Sequence, residues 1–124
     1  MTRILVVDDD DDSRISLRTL LESRGHTIVD AGNGREALRR VAAEAIELVI
    51  TDLVMPEIEG TELIQQLRNA YPQTKIIAVT GNRYAQRFGY LAVAQHLGAH
   101  RVFLKPLDAR DLLQAIAELA SSND

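Results

Sequence analysis

The sequence predicts an α/β fold, a doubly wound sandwich in which a five-stranded parallel sheet carries helices on both faces. Two observations lead there. Short apolar stretches rich in β-branched residues recur five times, at Ile4 to Val7, Thr27 to Val29, Leu48 to Thr51, Lys75 to Val79 and Val102 to Leu104. Each is followed by a segment whose apolar residues return at helical spacing. Strands alternating with helices imply parallel neighbours, because parallel strands need crossover connections, and right-handed crossovers cover both faces.

The helices follow in order. Ile15, Leu17, Leu20 and Leu21 suit one face of a first helix, with Asp12 or Ser13 as its cap and Gly25 past its end. Asn33 caps a second that runs through Ala37, Leu38 and Val41. Gly60 precedes a third carrying Leu63, Ile64 and Leu67, which must stop before Pro72 because proline cannot continue the ladder. A fourth is expected within Tyr84 to Leu97, with Gly98 beyond it. A fifth starts from an Asp108 cap and presents Leu112, Leu113, Ile116 and Leu119.

The 124 residues suit one domain, 1–124, whose polar end from Ser121 to Asp124 is expected to fray. With 46% hydrophobic and 26% charged residues, the chain can bury a core. The absence of cysteine excludes a disulfide framework, thiolate zinc sites and cysteine nucleophiles, and accords with a cytoplasmic location. The apolar run at the N-terminus meets Asp8 too soon to be a signal peptide or membrane span. A net charge of −4 gives no broad attraction for nucleic acid, so no direct contact with it is expected.

In such sheets, ligands bind beyond the carboxyl ends of the strands, near the point where strand order reverses. Asp8 and Asp9 end the first predicted strand, Asp52 the third, Thr80 the fourth and Lys105 the fifth. Crowded carboxylates resist joint ionisation unless a cation neutralises them, and an oxygen-rich site with few protein ligands suits Mg²⁺. Asp8, Asp9 and Asp52 supply such a site, while Asp10 to Asp12 read as a solvated acidic loop that favours the start of a helix. An aspartate can attack phosphorus, which makes Asp52 a candidate nucleophile. Thr80 can hydrogen-bond a phosphoryl oxygen, and Lys105 can pair with its charge.

With these residues in place, the chain resembles the receiver domains of two-component response regulators over essentially its whole length. Ile4-Leu5-Val6-Val7-Asp8-Asp9 resembles the opening strand with its acidic pair, and Thr51-Asp52-Leu53-Val54-Met55-Pro56 through Gly60 resembles the phosphoacceptor segment. Lys105-Pro106 resembles the family's lysine and proline, and Thr80 its switch hydroxyl. The resemblance implies a CheY-like, flavodoxin-like sheet order of 2-1-3-4-5, with Mg²⁺ on Asp9, Asp52 and the backbone carbonyl of Val54. It also implies a cis Lys105-Pro106 bond and a phosphoryl group donated by a sensor histidine kinase or histidine phosphotransfer protein. The chain would then be a signalling switch rather than an enzyme, passing its state to a downstream protein target.

The sequence departs from the family pattern in two places. Val102 stands where an aromatic commonly lies three residues before the lysine, and Phe103 follows it. The segment from Gly81 to Gly98 is long, and Tyr84, Phe88 and Tyr90 within it suit either a partner surface or packing beneath the loop.

Other readings compete. One is a receiver that binds partners without phosphorylation. Gly32-Asn33-Gly34-Arg35-Glu36-Ala37 fits a nucleotide-binding G-x-G-x-x-A, but after the second strand rather than the first. A haloacid-dehalogenase phosphatase would want Thr or Val where Asp12 stands. His96 and His100 have metal-chelating spacing broken by Gly98, so both read as surface residues, and His26 reads as an exposed turn residue.

Overall fold

The computed structural model of the chain describes residues 2–53, 60–81, 89, 92, 95, 96 and 98–120. The elements are β1 (Arg3–Val7), α1 (Asp11–Ser23), β2 (Thr27–Ala31), α2 (Gly34–Ala43), β3 (Leu48–Asp52), α3 (Gly60–Ala70), β4 (Lys75–Gly81), β5 (Arg101–Lys105) and α4 (Ala109–Ala120). All strand pairs are parallel, in the order β2-β1-β3-β4-β5. Order reverses on either side of β1, so the gap between the carboxyl ends of β1 and β3 is where a ligand site belongs.

Alternation along the central strands divides the core in two. Leu5, Val7, Val49, Ile76 and Ala78 pack with Ala37 and Val41 of α2 and Leu63, Ile64 and Leu67 of α3. On the other face, Ile4, Val6, Ile50, Ile77 and Val79 pack with Leu21 of α1 and Leu112, Ile116 and Leu119 of α4. Strands buried on both faces have little room for polar residues, which explains why their sequences read as continuous apolar runs. The polar residues therefore collect where those runs end.

Helix starts follow local chemistry. Asn33 caps α2 by accepting the Glu36 N–H at 2.8 Å, a bond of a kind that contributes about 1 kcal/mol. Asp108 caps α4 by accepting the Asp111 N–H at 3.0 Å. The cap of α1 is Asp10, whose carboxylate accepts the Ser13 N–H at 3.0 Å, so the helix starts earlier than a cap at Asp12 or Ser13 requires. Asp11 and Asp12 then occupy the first turn, where the helix dipole favours negative charge. Gly25, with φ +89°, follows α1 as expected.

Three expectations need correction. Ile15 is 56% exposed and off the packed face of α1, since it lies two residues, or about 200° of helical rotation, from Leu17. His26 is half-buried, with its Nδ1 accepting the Thr2 N–H at 3.3 Å. His100 is also half-buried; its Nδ1 accepts the Ile76 N–H at 3.0 Å, and its backbone N–H donates to the Ile76 carbonyl at 2.8 Å. His96 is exposed. The expected fourth helix and Tyr84, Phe88 and Tyr90 fall mostly or wholly outside the described residues, although 92, 95 and 96 within that stretch are helical. Residues 121–124 also lie outside them.

Burial holds the His100 pKa below its ordinary 6.5, helped by the positive charges of Arg68, Lys75 and Arg101. A base with a lowered folded pKa takes up its proton more readily when unfolded. The stability it contributes is therefore complete above pH 6.5 and is lost as pH falls through the folded pKa. The melting temperature is expected to decline below about pH 6.5. His100→Asn should flatten that slope, leaving the part due to His26, whose pKa is also lowered by burial. A variant that melts with the wild-type pH profile would exclude His100 as the source.

Candidate functional site

Asp8, directly after β1, is held at every polar group. Its N–H donates to the Ala31 carbonyl at 3.2 Å, and its carbonyl accepts from Arg14 Nη1 at 2.7 Å. Of its carboxylate oxygens, Oδ1 accepts the Asp10 N–H at 2.9 Å and Oδ2 accepts from Lys105 Nζ at 3.3 Å. The same ammonium donates to Asp52 Oδ2 at 2.8 Å, so one cation from the end of β5 joins carboxylates from the ends of β1 and β3. The Asp8 and Asp52 side chains are 11% and 12% exposed and that of Lys105 is 32% exposed, which makes the pairs partly shielded from water. Asp9 is exposed.

Burial of Lys105 works to lower its pKa, but its hydrogen bond and charge interaction with Asp52, together with those of Asp8, outweigh this and raise it above 10.5. The lysine is thus held as a cation beside the acids. One oxygen from each of Asp8, Asp9 and Asp52 lies within 4.8 Å of the others. Three hard oxygen donors on one rim fit a small divalent ion that keeps several waters. A cleft of about 410 Å³ opens beside these residues, between Leu17 and Leu20 of α1 and Pro106 and Leu107 after β5.

Two further residues shape the Asp52 segment. The Gly60 N–H donates to the Leu53 carbonyl at 3.0 Å, and a methyl group at Gly60 would overlap the Asp52 carbonyl oxygen. The Lys105-Pro106 bond is cis, as the resemblance implied.

Thr80 is not drawn into the same network. It lies one residue beyond Val79, the partner of Asp52 on β4, and so shares the face of Ala78 rather than that of Val79. Its hydroxyl is fully buried and makes no hydrogen bond among the described residues. Val54, the carbonyl donor the resemblance implied, lies outside the described residues. The glycine-rich decoy uses its own polar groups: Asn33 caps α2, and the Glu36 carboxylate accepts the Gly32 N–H at 3.5 Å. It also follows β2, an edge strand, away from the carboxylates.

Arg14 escaped the sequence reading. A cation in the first turn of a helix opposes the dipole, and that mismatch is the available signal that it has partners elsewhere. Its side chain is 17% exposed and reaches Asp8, Asp11 and Asp30.

The family model for the response regulator receiver domain matches residues 4–117. The chain belongs to that family. This receiver is 35% identical over 122 residues to the response regulator receiver protein CpdR of Brucella abortus, which covers 96% of the chain and 97% of CpdR. It is 36% identical over 118 residues to the autoinducer sensor kinase/phosphatase CqsS of Vibrio cholerae, covering 93% of the chain but 17% of that protein. Among solved structures, a CheY-like receiver from Methanospirillum hungatei superposes with a TM-score of 0.88 at 33% identity, covering 97% of this chain and 94% of the other. TrrA from Thermotoga maritima, solved in complex with Mg(2+)-BeF, gives 0.83 at 32% identity, with 96% and 99% covered. The receiver is therefore a module of two-component signalling, in which phosphoryl transfer to an aspartate is the general receiver function. Among its described residues, no helix is long and apolar enough to cross a membrane.

Proposed function

We propose that Asp52 is the phosphoacceptor of this receiver and that Asp8, Asp9 and Asp52, with the backbone carbonyl of Val54, hold Mg²⁺. The observation that carries this reading is the Lys105 ammonium 2.8 Å from Asp52 and 3.3 Å from Asp8, beside three carboxylates whose oxygens approach within 4.8 Å. Among the described residues, Asp52 takes the shorter of the two Lys105 contacts, which sets a nucleophilic oxygen beside a fixed cation.

An Asp52 oxygen attacks the phosphorus of a phosphohistidine in line with the P–N bond. That bond breaks, its electron pair returns to the donor imidazole, and an acyl phosphate forms on Asp52. Lys105 stabilises the charge that builds on the transferring oxygens. When bound, Mg²⁺ neutralises the same charge and allows the carboxylates to stay ionised together. Most of the acceleration is positioning, since the reacting groups need little covalent help. Thr80 answers the new dianion by giving its buried hydroxyl a partner, and the altered balance between two arrangements of the neighbouring segments carries the signal.

The donor in this reading is a sensor histidine kinase or a histidine phosphotransfer protein, and the recipient is a protein target. Residues 1–124 act as one receiver unit. The lack of cysteine supports a cytoplasmic setting, and the role is that of a switch rather than a turnover enzyme.

Intact mass after incubation with acetyl phosphate, with and without Mg²⁺, tests the reading. Wild type is expected to gain one phosphoryl group only with Mg²⁺, and Asp52→Asn to gain none. Equal labelling of the variant would move the acceptor elsewhere. If wild type stays unlabelled even with a phosphohistidine donor, phosphorylation-independent binding becomes the better account.

A further inference from the structure

We propose that Arg14 is a positioning residue that aims the Asp9 carboxylate into the acidic pocket by fixing the peptide between Asp8 and Asp9. The inference rests on the reading of Asp8, Asp9 and Asp52 as a cation site. Arg14 Nη1 donates to the Asp8 carbonyl at 2.7 Å, while Nη2 grips Asp11 Oδ1 at 2.6 Å. Its Nε lies 3.8 Å from Asp30 Oδ2 on β2, and Arg18 Nη1 approaches that same oxygen at 3.3 Å. The guanidinium thus ties together the end of β1, the first turn of α1 and the side of β2.

A peptide unit is planar, so fixing the Asp8 carbonyl oxygen also fixes the direction of the following N–H and Cα. Asp9 is exposed, whereas its neighbour Asp8 is anchored at four polar groups, so the aim of the Asp9 carboxylate depends on the peptide that leads into it. Only a fork with several donors in one plane can serve the carbonyl and two carboxylates together, which an ammonium on a flexible stem cannot do. Groups that orient metal ligands from behind typically account for a 10- to 100-fold difference in metal affinity.

The test combines Mg²⁺ titration calorimetry with amide exchange in metal-free protein, comparing wild type, Arg14→Ala, Arg14→Lys and Asn33→Ala. Both Arg14 variants are expected to weaken Mg²⁺ binding by about tenfold or more. They should also speed exchange at the Asp9 and Asp10 amides before any metal is added. Saturating Mg²⁺ should restore most of the phosphorylation rate, a split that general destabilisation does not produce. Asn33→Ala, which unsettles α2 alone, should lower the melting temperature and leave Mg²⁺ affinity unchanged. If Arg14→Ala does not fold, Arg14→Lys carries the same arms. Wild-type affinity and wild-type exchange in the Arg14 variants would overturn the inference. A wild type that fails to bind Mg²⁺ would instead remove the cation reading, and exchange at Asp9 would still judge Arg14.

Discussion

Gly60→Ala is expected to lower the rate of Mg²⁺-dependent phosphorylation by about a hundredfold, although Gly60 touches neither phosphate nor metal in the proposed mechanism. The added methyl group would overlap the Asp52 carbonyl oxygen and come within 2.5 Å of Leu53 Cα and 2.9 Å of Asp52 C. All three are backbone atoms, so no side chain can swing away to make room. The β3 terminus must shift, and Asp52 moves with it. Overpacking of this sort costs about 1–3 kcal/mol, and a displacement near 1 Å at a reacting group costs on the order of 100-fold in rate. Initial rates of mass gain and a melting curve measure both effects. A variant that melts lower yet labels at the wild-type rate would show that Asp52 keeps its place despite the clash.

Lys105→Met should be at least as damaging to phosphoryl transfer, and for a different reason. Loss of one preorganised donor to developing charge commonly costs about 100- to 1000-fold. Methionine keeps much of the length of the stem but leaves the Asp8 and Asp52 carboxylates without their shared cation. The metal-free variant is therefore expected to melt below wild type, as carboxylates no longer neutralised repel each other. Mg²⁺ should then raise its melting temperature by more than it raises that of wild type, because the ion takes over a neutralising role that the lysine otherwise fills. Equal Mg²⁺-induced shifts in the two proteins would mean that Lys105 and the ion act on separate groups.

The strands and the acidic rim were legible because buried parallel strands leave a plain trace. Ile4 to Val7 and Leu48 to Thr51 are continuous apolar or β-branched runs, and Asp8 and Asp52 stand where those runs stop. Sheet order and the cis proline came through family resemblance, since no local pattern encodes which strands become neighbours. The cap of α1 was ambiguous because Asp8 to Asp12 offers five consecutive carboxylates, and the choice of Asp10 depends on where the chain bends out of β1. His26 and His100 were misjudged for a related reason. Each accepts a backbone N–H from a residue 24 positions away, which becomes a neighbour only after the sheet forms. Thr80 was expected to end the fourth strand, whereas β4 runs on to Gly81 and its alternation turns the Thr80 side chain to the face opposite Val79. Gly60 was read as a helix boundary, and its close approach to Asp52 is a tertiary fact that glycine in a loop does not disclose.

The Lys105 ammonium closes contacts across 97 residues to Asp8 and 53 residues to Asp52. The acids therefore meet their shared cation only through long-range contacts of the folded sheet. Pairings between such distant parts of a chain form slowly compared with local helical turns. The pairing of β5 with β4 is what brings the Lys105 ammonium to the acids at the ends of β1 and β3. Under the proposed mechanism, the readiness of Asp52 to accept a phosphoryl group is thereby tied to the docking of β5, the strand that carries Lys105.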